Sequence, residues 1–344
     1  MKKLIINLLK KLLKKFGDEE IQTLNLDGDQ RVISEIPLTR TQLKKVPSKK
    51  SPRREIAVLS DSERSIRDFT EMMENPFLAL SKKRREPIIY ESPDGTRKIK
   101  VTRHTGHFLA SIYDWDIVLY VAGKMQEILN NGSDIPPRTM IIPTHEILKA
   151  LHKNNGNKQQ KDLVCSLERL QLTGIDTTIR NEDYKYRAGF GFLDSWGYAE
   201  RKSNRDIKKI HITLSQWLYD GICAKGSLLK VSPDYFCLTS ALKRFLYRTA
   251  RKHVGNSKES WNFTIEKLYE KSGSESEFKV FKNKLKQAVL DNDIPDYSME
   301  WIERNGRTIV AFRDAPSQKI ADMIDEIKDS DQDVIEFSKE ETLH

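Results

Sequence analysis

The stretch SEFKVFKNKLKQAVL, residues 276–290, carries two stripes at helical spacing. Phe278, Phe281, Leu285 and Val289 recur at steps of three and four residues. Lys279, Lys282, Asn283 and Lys286 recur beside them. The first stripe can be buried in a core. The second has no carboxylate near it from Phe278 to Leu290. A buried stripe backed by a basic one is what the second helix of a helix-turn-helix unit needs to enter the DNA major groove. Lysines can pair with phosphates or guanine, and Asn283 can read adenine through two hydrogen bonds. A lysine face that is only solvated is the competing reading. Ser274 and Glu277 stand in capping-box spacing at the start of the stretch. Ser274 and Ser276, at the start of the stretch, are also candidate DNA contacts.

The surroundings fit such a unit. Upstream, TSALKRFLYRTARKH reads as a helix, SWNF as a short strand, and TIEKLYEKSG as a helix that Gly273 ends. Arg244, Arg248, Arg251, Lys252 and His253 run along the first of these helices. They can touch phosphate or simply keep the helix soluble. Downstream, YSMEWIERNGRTIVAFR reads as a β-hairpin, because Asn305-Gly306 suits a two-residue type I′ turn. That turn sets Trp301 opposite Val310, Met299 opposite Phe312, and Arg304 opposite Arg307 at the tip. Like charges placed opposite each other destabilise a bare hairpin. An anion such as a DNA phosphate removes the conflict; two splayed, solvated arginines are the alternative.

The same order of elements occurs once before. WDIVLYVAGKMQEIL (115–129) is periodic, RTMIIP is strand-like, and THEILKALH follows with Thr144 at its start. The turn NNGN leads to the helix KQQKDLVCSLERLQL, and strand-like GIDTTIR and YKYRAGFGFLDSW come next. Lys158, Gln159, Gln160 and Lys161 crowd the helix start, where side chains reach base edges, above an inner stripe of Leu163, Leu167 and Leu170. Arg180, Lys185 and Arg187 fall in the expected wing, diluted by Glu182 and Asp183. This copy either binds DNA more weakly or serves mainly for dimerisation. The expected fold class is α+β: two tandem winged helix-turn-helix domains, residues 71–222 and 223–313.

The flanks differ from this body. MKKLIINLLKKLLKKF (1–16) reads as a basic amphipathic helix, able to lie on an anionic membrane surface, to bind a partner, or to be dispensable. It lacks the pattern of a secretory signal. Residues 17–70 mix charges, prolines and serines and read as a disordered linker. Residues 314–344 form an acidic tail, with ten acids against three lysines. The chain's net charge is +9, so the tail's −7 leaves +16 on residues 1–313. A basic body of that kind suits a polyanionic partner. Cys165, Cys223 and Cys237 are too few and too scattered for a disulfide framework and fit a reducing compartment. No run of 18 apolar residues occurs.

Motifs for catalysis are missing. There is no GxxxxGK[ST], no HExxH, no CxxC and no GxSxG. His104 and His107 in RHTGH lack a further ligand pair, and His145 suits a surface position at a helix start. His211-Ile212-Thr213 lacks the second histidine of rolling-circle nicking enzymes. Binding without catalysis or a cofactor is the expectation.

Several motifs together resemble the proteobacterial plasmid replication initiator protein A family. They are NPFLALSKKRREPIIYESPDG (75–95), ASIYDWDIVLY (110–120) and RTMIIPTHEILKALHKNNGNKQQKDLVCSLERLQLTGIDTTIR (138–180). LDSW (193–196), SPDYFCLTSALKRFLYRTARKHVG (232–255) and LYEKSGS (268–274) complete the set. The similarity runs in order from about Met72 to Arg313. It implies a bacterial plasmid initiator, acting in the cytoplasm, that binds double-stranded origin DNA, commonly at direct repeats called iterons, and helps open the duplex. It also implies recruitment of the host initiator ATPase and replicative helicase, and a shift between dimers and monomers. Lys82, Lys83, Arg84 and Arg85 lie inside the first motif and can steer DNA or support the first domain's sheet. A winged-helix transcriptional repressor is the alternative, and a DNA-nicking enzyme a third class.

Overall fold

The computed structural model describes residues 66–315, apart from 132–134, 180–187, 201–205, 225, 256–259 and 305. All of them fall within one compact unit, Ala57–His344. The amphipathic helix, most of the linker and nearly all of the acidic tail lie outside the described residues.

The fold is mixed α/β. The first elements are β1 (Arg67–Phe69), α1 (Thr70–Glu74), β2 (Ile88–Glu91) and β3 (Lys98–Arg103). A repeat then begins with α2 (Trp115–Asn130), β4 (Thr139–Pro143), α3 (Thr144–Ala150) and α4 (Asn157–Leu172). It continues through β5 (Thr173–Thr177), β6 (Ala188–Gly191), β7 (Leu193–Glu200), β8 (Ile207–Leu214), α5 (Gln216–Cys223) and β9 (Leu228–Lys230). A 3-10 turn (Pro233–Cys237) leads to α6 (Ala241–His253), β10 (Trp261–Thr264), α7 (Ile265–Ser272), α8 (Phe278–Asp291), β11 (Tyr297–Arg304) and β12 (Arg307–Asp314).

Two of the sheets share one topology. β4-β8-β7 and β10-β12-β11 each place the last strand of a hairpin between its partner and the strand that precedes a helix pair. The hairpin register is the one the tight turn implied: Met299 faces Phe312, Trp301 faces Val310 and Arg304 faces Arg307. Gly306 adopts φ +72°, a conformation that a glycine reaches without steric cost.

The first hairpin departs from expectation. β5 and β6 pair with each other inside a separate sheet, β2-β3-β5-β6. The strand β4 is instead joined by β7 and β8. Arg180, Lys185 and Arg187 therefore belong to the β5–β6 connection and not to the hairpin of the β4 sheet; they lie outside the described residues. Strand periodicity identified a strand at each place but not which sheet it joins. The expected linker is also shorter than residue 70, because β1 pairs with β9 (Asp68 with Leu229).

The core centres on Trp115, whose ring lies 5.8 Å from Phe69 and 5.1 Å from Phe192. Its indole N–H donates to Asp68 at 2.9 Å. Helix α6 is buried nearly all round, from Arg244 to Ala250. Arg244 and Arg248 are thus not a phosphate-facing row. One turn apart, they point at the same side and close on Asp116 and Asp68. Arg244 also donates to the carbonyl oxygens of Leu238 (2.7 Å) and Phe236 (3.3 Å). Burial above all, with the Asp114 carboxylate adding to it, pushes the Asp116 carboxyl up, to about 6, against the pull of Arg244. Arg251 donates to the Lys230 carbonyl, and the His253 ring packs against Trp261 and Phe263.

Candidate nucleic-acid interface

Helix α8 divides as its two stripes dictate. Phe281, Leu285, Ala288 and Val289 are buried, each worth about 1–3 kcal/mol of apolar transfer for the larger side chains. Phe278 is the exception. It is 38% exposed, held edge-to-face on Tyr269 at 5.4 Å, because the helix begins at that residue and its first turn overhangs the core.

Lys279, Asn283 and Lys286 are exposed and Lys282 is half-exposed, so the second stripe faces outward. Among the described residues no carboxylate lies within 4 Å of these three lysines. The Lys286 ammonium stands 5.8 Å from the Trp301 ring, which connects the helix to the neighbouring hairpin. At the far end, Lys243 lies 2.7 Å from Asp291 and 2.8 Å from Asp293. Burial works against the charge of Lys243, but the two carboxylates outweigh it and raise its pKa. The acidic residues at the C-terminal end of α8 are thereby occupied, away from the lysine stripe.

The capping box does not form. Glu277 takes the N-cap position and no side chain caps α8. Ser274 Oγ instead accepts the Ser276 N–H at 3.2 Å, and the Ser276 carbonyl accepts the Tyr269 hydroxyl at 2.7 Å. Both serines are half-buried and shape the turn. Of the hairpin-tip pair, Arg307 is exposed.

In the first repeat, Lys158 and Lys161 are exposed and Gln159 half-buried at the start of α4. Gln160 is not part of that outer surface. Only 3% exposed, it donates to Asn155 (2.9 Å) and Asp206 (2.7 Å) and accepts the Ile207 N–H (2.9 Å). It stands three residues before Leu163 and seven before Leu167, so it shares their inward stripe and ties α4 to β8. On the same helix, Arg169 makes a forked pair with Asp114 at 3.0 and 2.6 Å.

One candidate was missed. The residues between β7 and β8, 201–205, read Arg-Lys-Ser-Asn-Arg, and the two strands they link occupy in this repeat the place of β11 and β12. The signal was available: Ile210, Ile212 and Leu214 alternate as a strand after a turn-forming Ser203-Asn204 pair. Residues 201–205 themselves lie outside the described residues.

Nothing near these surfaces has the form of a metal site; no group of three metal-ligating side chains occurs among the described residues. His145 and His104 are exposed, and His107 lies 3.8 Å from Glu168. The three cysteines are free and exposed. No helix among the described residues is long and apolar enough to cross a membrane.

Residues 67–299 match the family described as Replication initiator protein A. A curated protein of Wigglesworthia glossinidia brevipalpis, which carries a provisional name as a replication protein, is 33% identical over 239 residues. That alignment covers 69% of this chain and 85% of the relative. Among solved structures, domains 2 and 3 of RctB superpose with a TM-score of 0.51 at 13% identity. The match covers 75% of this chain and all of that one, and it concerns the fold alone.

Proposed function

The chain belongs to the replication initiator protein A family, and from that premise we propose that it is a plasmid replication initiator that binds double-stranded origin DNA at iteron-like direct repeats. Each repeat of helix, strand, helix pair and hairpin acts as a winged helix-turn-helix module. In the second module α8 enters the major groove, with Lys279, Lys282, Asn283 and Lys286 toward DNA and Arg304 and Arg307 at the flanking wing. In the first module Lys158, Gln159 and Lys161 take the corresponding place. The protein then helps open the duplex and recruits the host initiator ATPase and replicative helicase. It acts in the cytoplasm, without a cofactor and without catalysing a reaction itself, and passes between monomer and dimer.

One observation carries this reading: the outward stripe of α8 holds three lysines with no acidic partner, while Phe281, Leu285 and Val289 of its inward stripe are engaged in the core. A stripe that served only solubility would not need to exclude carboxylates over thirteen consecutive residues.

The test is genetic and biochemical together. A plasmid carrying only this gene and its flanking repeat DNA is introduced into a bacterial host lacking other initiators for it. Replication that is lost when the four α8 residues become alanine supports the proposal. Binding to the repeats without replication supports a transcriptional repressor with the same modules instead.

A further inference from the structure

The sheet β2-β3-β5-β6 belongs to neither module. Its connections show what it joins. Helix α4 ends at Leu172 and β5 begins at Thr173, with no loop between them. The Thr173 hydroxyl locks that junction, accepting the Ala110 N–H and donating to the Arg169 carbonyl, both at 2.8 Å. Across the strands, Ile175 pairs with Val101 and Val101 with Ile88. All three are buried, so a single apolar line crosses from β5 to β2.

At the far edge, the residues leading into β2 meet the turn between α7 and α8. Arg84, 8% exposed, donates to the carbonyls of Glu86 (2.9 Å) and Pro87 (3.1 Å), and across 189 residues to the carbonyl of Gly273. Gly273 ends α7 at φ +57°. A Cβ there would stand 2.9 Å from Cβ of Pro76 and 3.4 Å from Cγ2 of Ile88, so the turn rests directly on the start of β2. Two residues earlier, the buried Lys271 ammonium lies 2.7 Å from the Glu74 carbonyl and 2.6 Å from its carboxylate. The entry to α8 is therefore held from the N-terminal half at Lys271 and Gly273, through Glu74, Pro76, Arg84 and Ile88.

We propose that this sheet is a strut fixing α8 relative to α4, so that the two helices engage DNA at one spacing and one helical phase, with Arg84 as the positioning residue. The inference rests on the reading that both helices face DNA. A hydrogen-bonded ladder with a buried apolar line resists stretching and sliding, because a slip of one residue would turn its side chains to the wrong face. The guanidinium is suited to its place: its planar fork reaches three carbonyl oxygens at once, whereas a lysine offers one mobile ammonium. A cation at the C-terminal end of α7 also complements the helix dipole.

The experiment uses the full chain and a duplex that the wild-type protein selects from a random-sequence pool. Hydroxyl-radical footprinting defines the patches protected by α4 and α8. A second duplex carries an insertion of about five base pairs, half a helical turn, between them. Wild type should lose at least about tenfold in affinity on the inserted duplex, the scale of losing one set of base contacts. Arg84→Met and Arg84→Lys should bind a duplex bearing the α8 patch alone within about twofold of wild type, yet show an insertion penalty reduced to about threefold or less. Should either fail to fold, Glu74→Gln, which loosens the Lys271 contact, is measured in the same way. Folded variants with the full wild-type penalty would overturn the strut. So would variants that lose α8-patch binding and spaced binding in equal proportion. A wild type indifferent to the insertion would overturn the two-helix reading itself, a different and separable result.

Discussion

Arg248 in α6 closes on Asp68, 180 residues away in sequence, with its Nε 2.6 Å from the Asp68 carboxylate and both side chains buried. The other Asp68 oxygen accepts from the Trp115 indole and from the Phe69 N–H. Both oxygens of that carboxylate are thus hydrogen-bonded, which is the condition under which a buried pair is tolerated.

Arg248→Met should therefore be a folding mutation and not a DNA-contact mutation. It leaves Asp68 buried and unpaired, at a cost of roughly 3–5 kcal/mol. For a body of this size the melting temperature should fall by roughly 10 °C. Thermal melting with and without DNA decides the matter: weakened DNA binding at an unchanged melting point would return Arg248 to the phosphate-contact role.

Replacing Lys279, Lys282, Asn283 and Lys286 together by alanine should abolish sequence-specific footprints while melting stays within a few degrees of wild type. Each single lysine substitution should reduce the slope of log affinity against log salt by about 0.9. Fluorescence anisotropy over a salt series reads that slope. If both modules dock, making roughly six to ten phosphate contacts, wild type should lose about three to five decades of affinity between 50 and 200 mM salt. Binding that is nearly flat in salt would contradict the interface.

Neighbouring residues of α4 should separate in the same experiments. Gln160→Ala removes three hydrogen bonds of a buried side chain and should destabilise by about 1–3 kcal/mol. Lys161→Ala should leave urea unfolding unchanged and alter only the salt dependence of DNA binding. Equal behaviour of the two variants in unfolding would contradict the orientation of α4.

Glu74 should make stability depend on acid. Burial alone would push its carboxyl up, but the His253 ring nitrogen 2.7 Å away and the Lys271 ammonium outweigh burial and hold it at about 2, against an ordinary 4.5. A folded-state value below the unfolded one gives stability that is present above pH 4.5 and lost as pH falls through 2. Partial solvent screening limits the contribution to about 1–2 kcal/mol. Urea unfolding at pH 5 and pH 3 should show a larger loss for wild type than for Glu74→Gln; parallel losses would remove Glu74 as the cause.

The sequence by itself determined what depends on neighbours along the chain. The Asn-Gly turn set the register of β11 and β12, Gly273 ended α7, and apolar spacing identified the inward stripe of α8, because turn geometry and helical periodicity act over a few residues. Phe278 marks the edge of that logic: its spacing fits the stripe, but its place at the first turn leaves it partly in solvent.

Tertiary structure alone decided which surface covers each remaining face. The cations of α6 read as a solvent or phosphate row until Asp68 and Asp116 close on Arg244 and Arg248 from far upstream. Arg84 reads as one of four basic residues until Gly273 offers it a carbonyl. The hairpin partner of β4 likewise depended on β8 and not on the strands that come first. Periodicity states which side of an element is apolar, but an arginine side chain becomes structural or functional only according to what approaches it, and these partners arrive across 128 to 189 residues of chain.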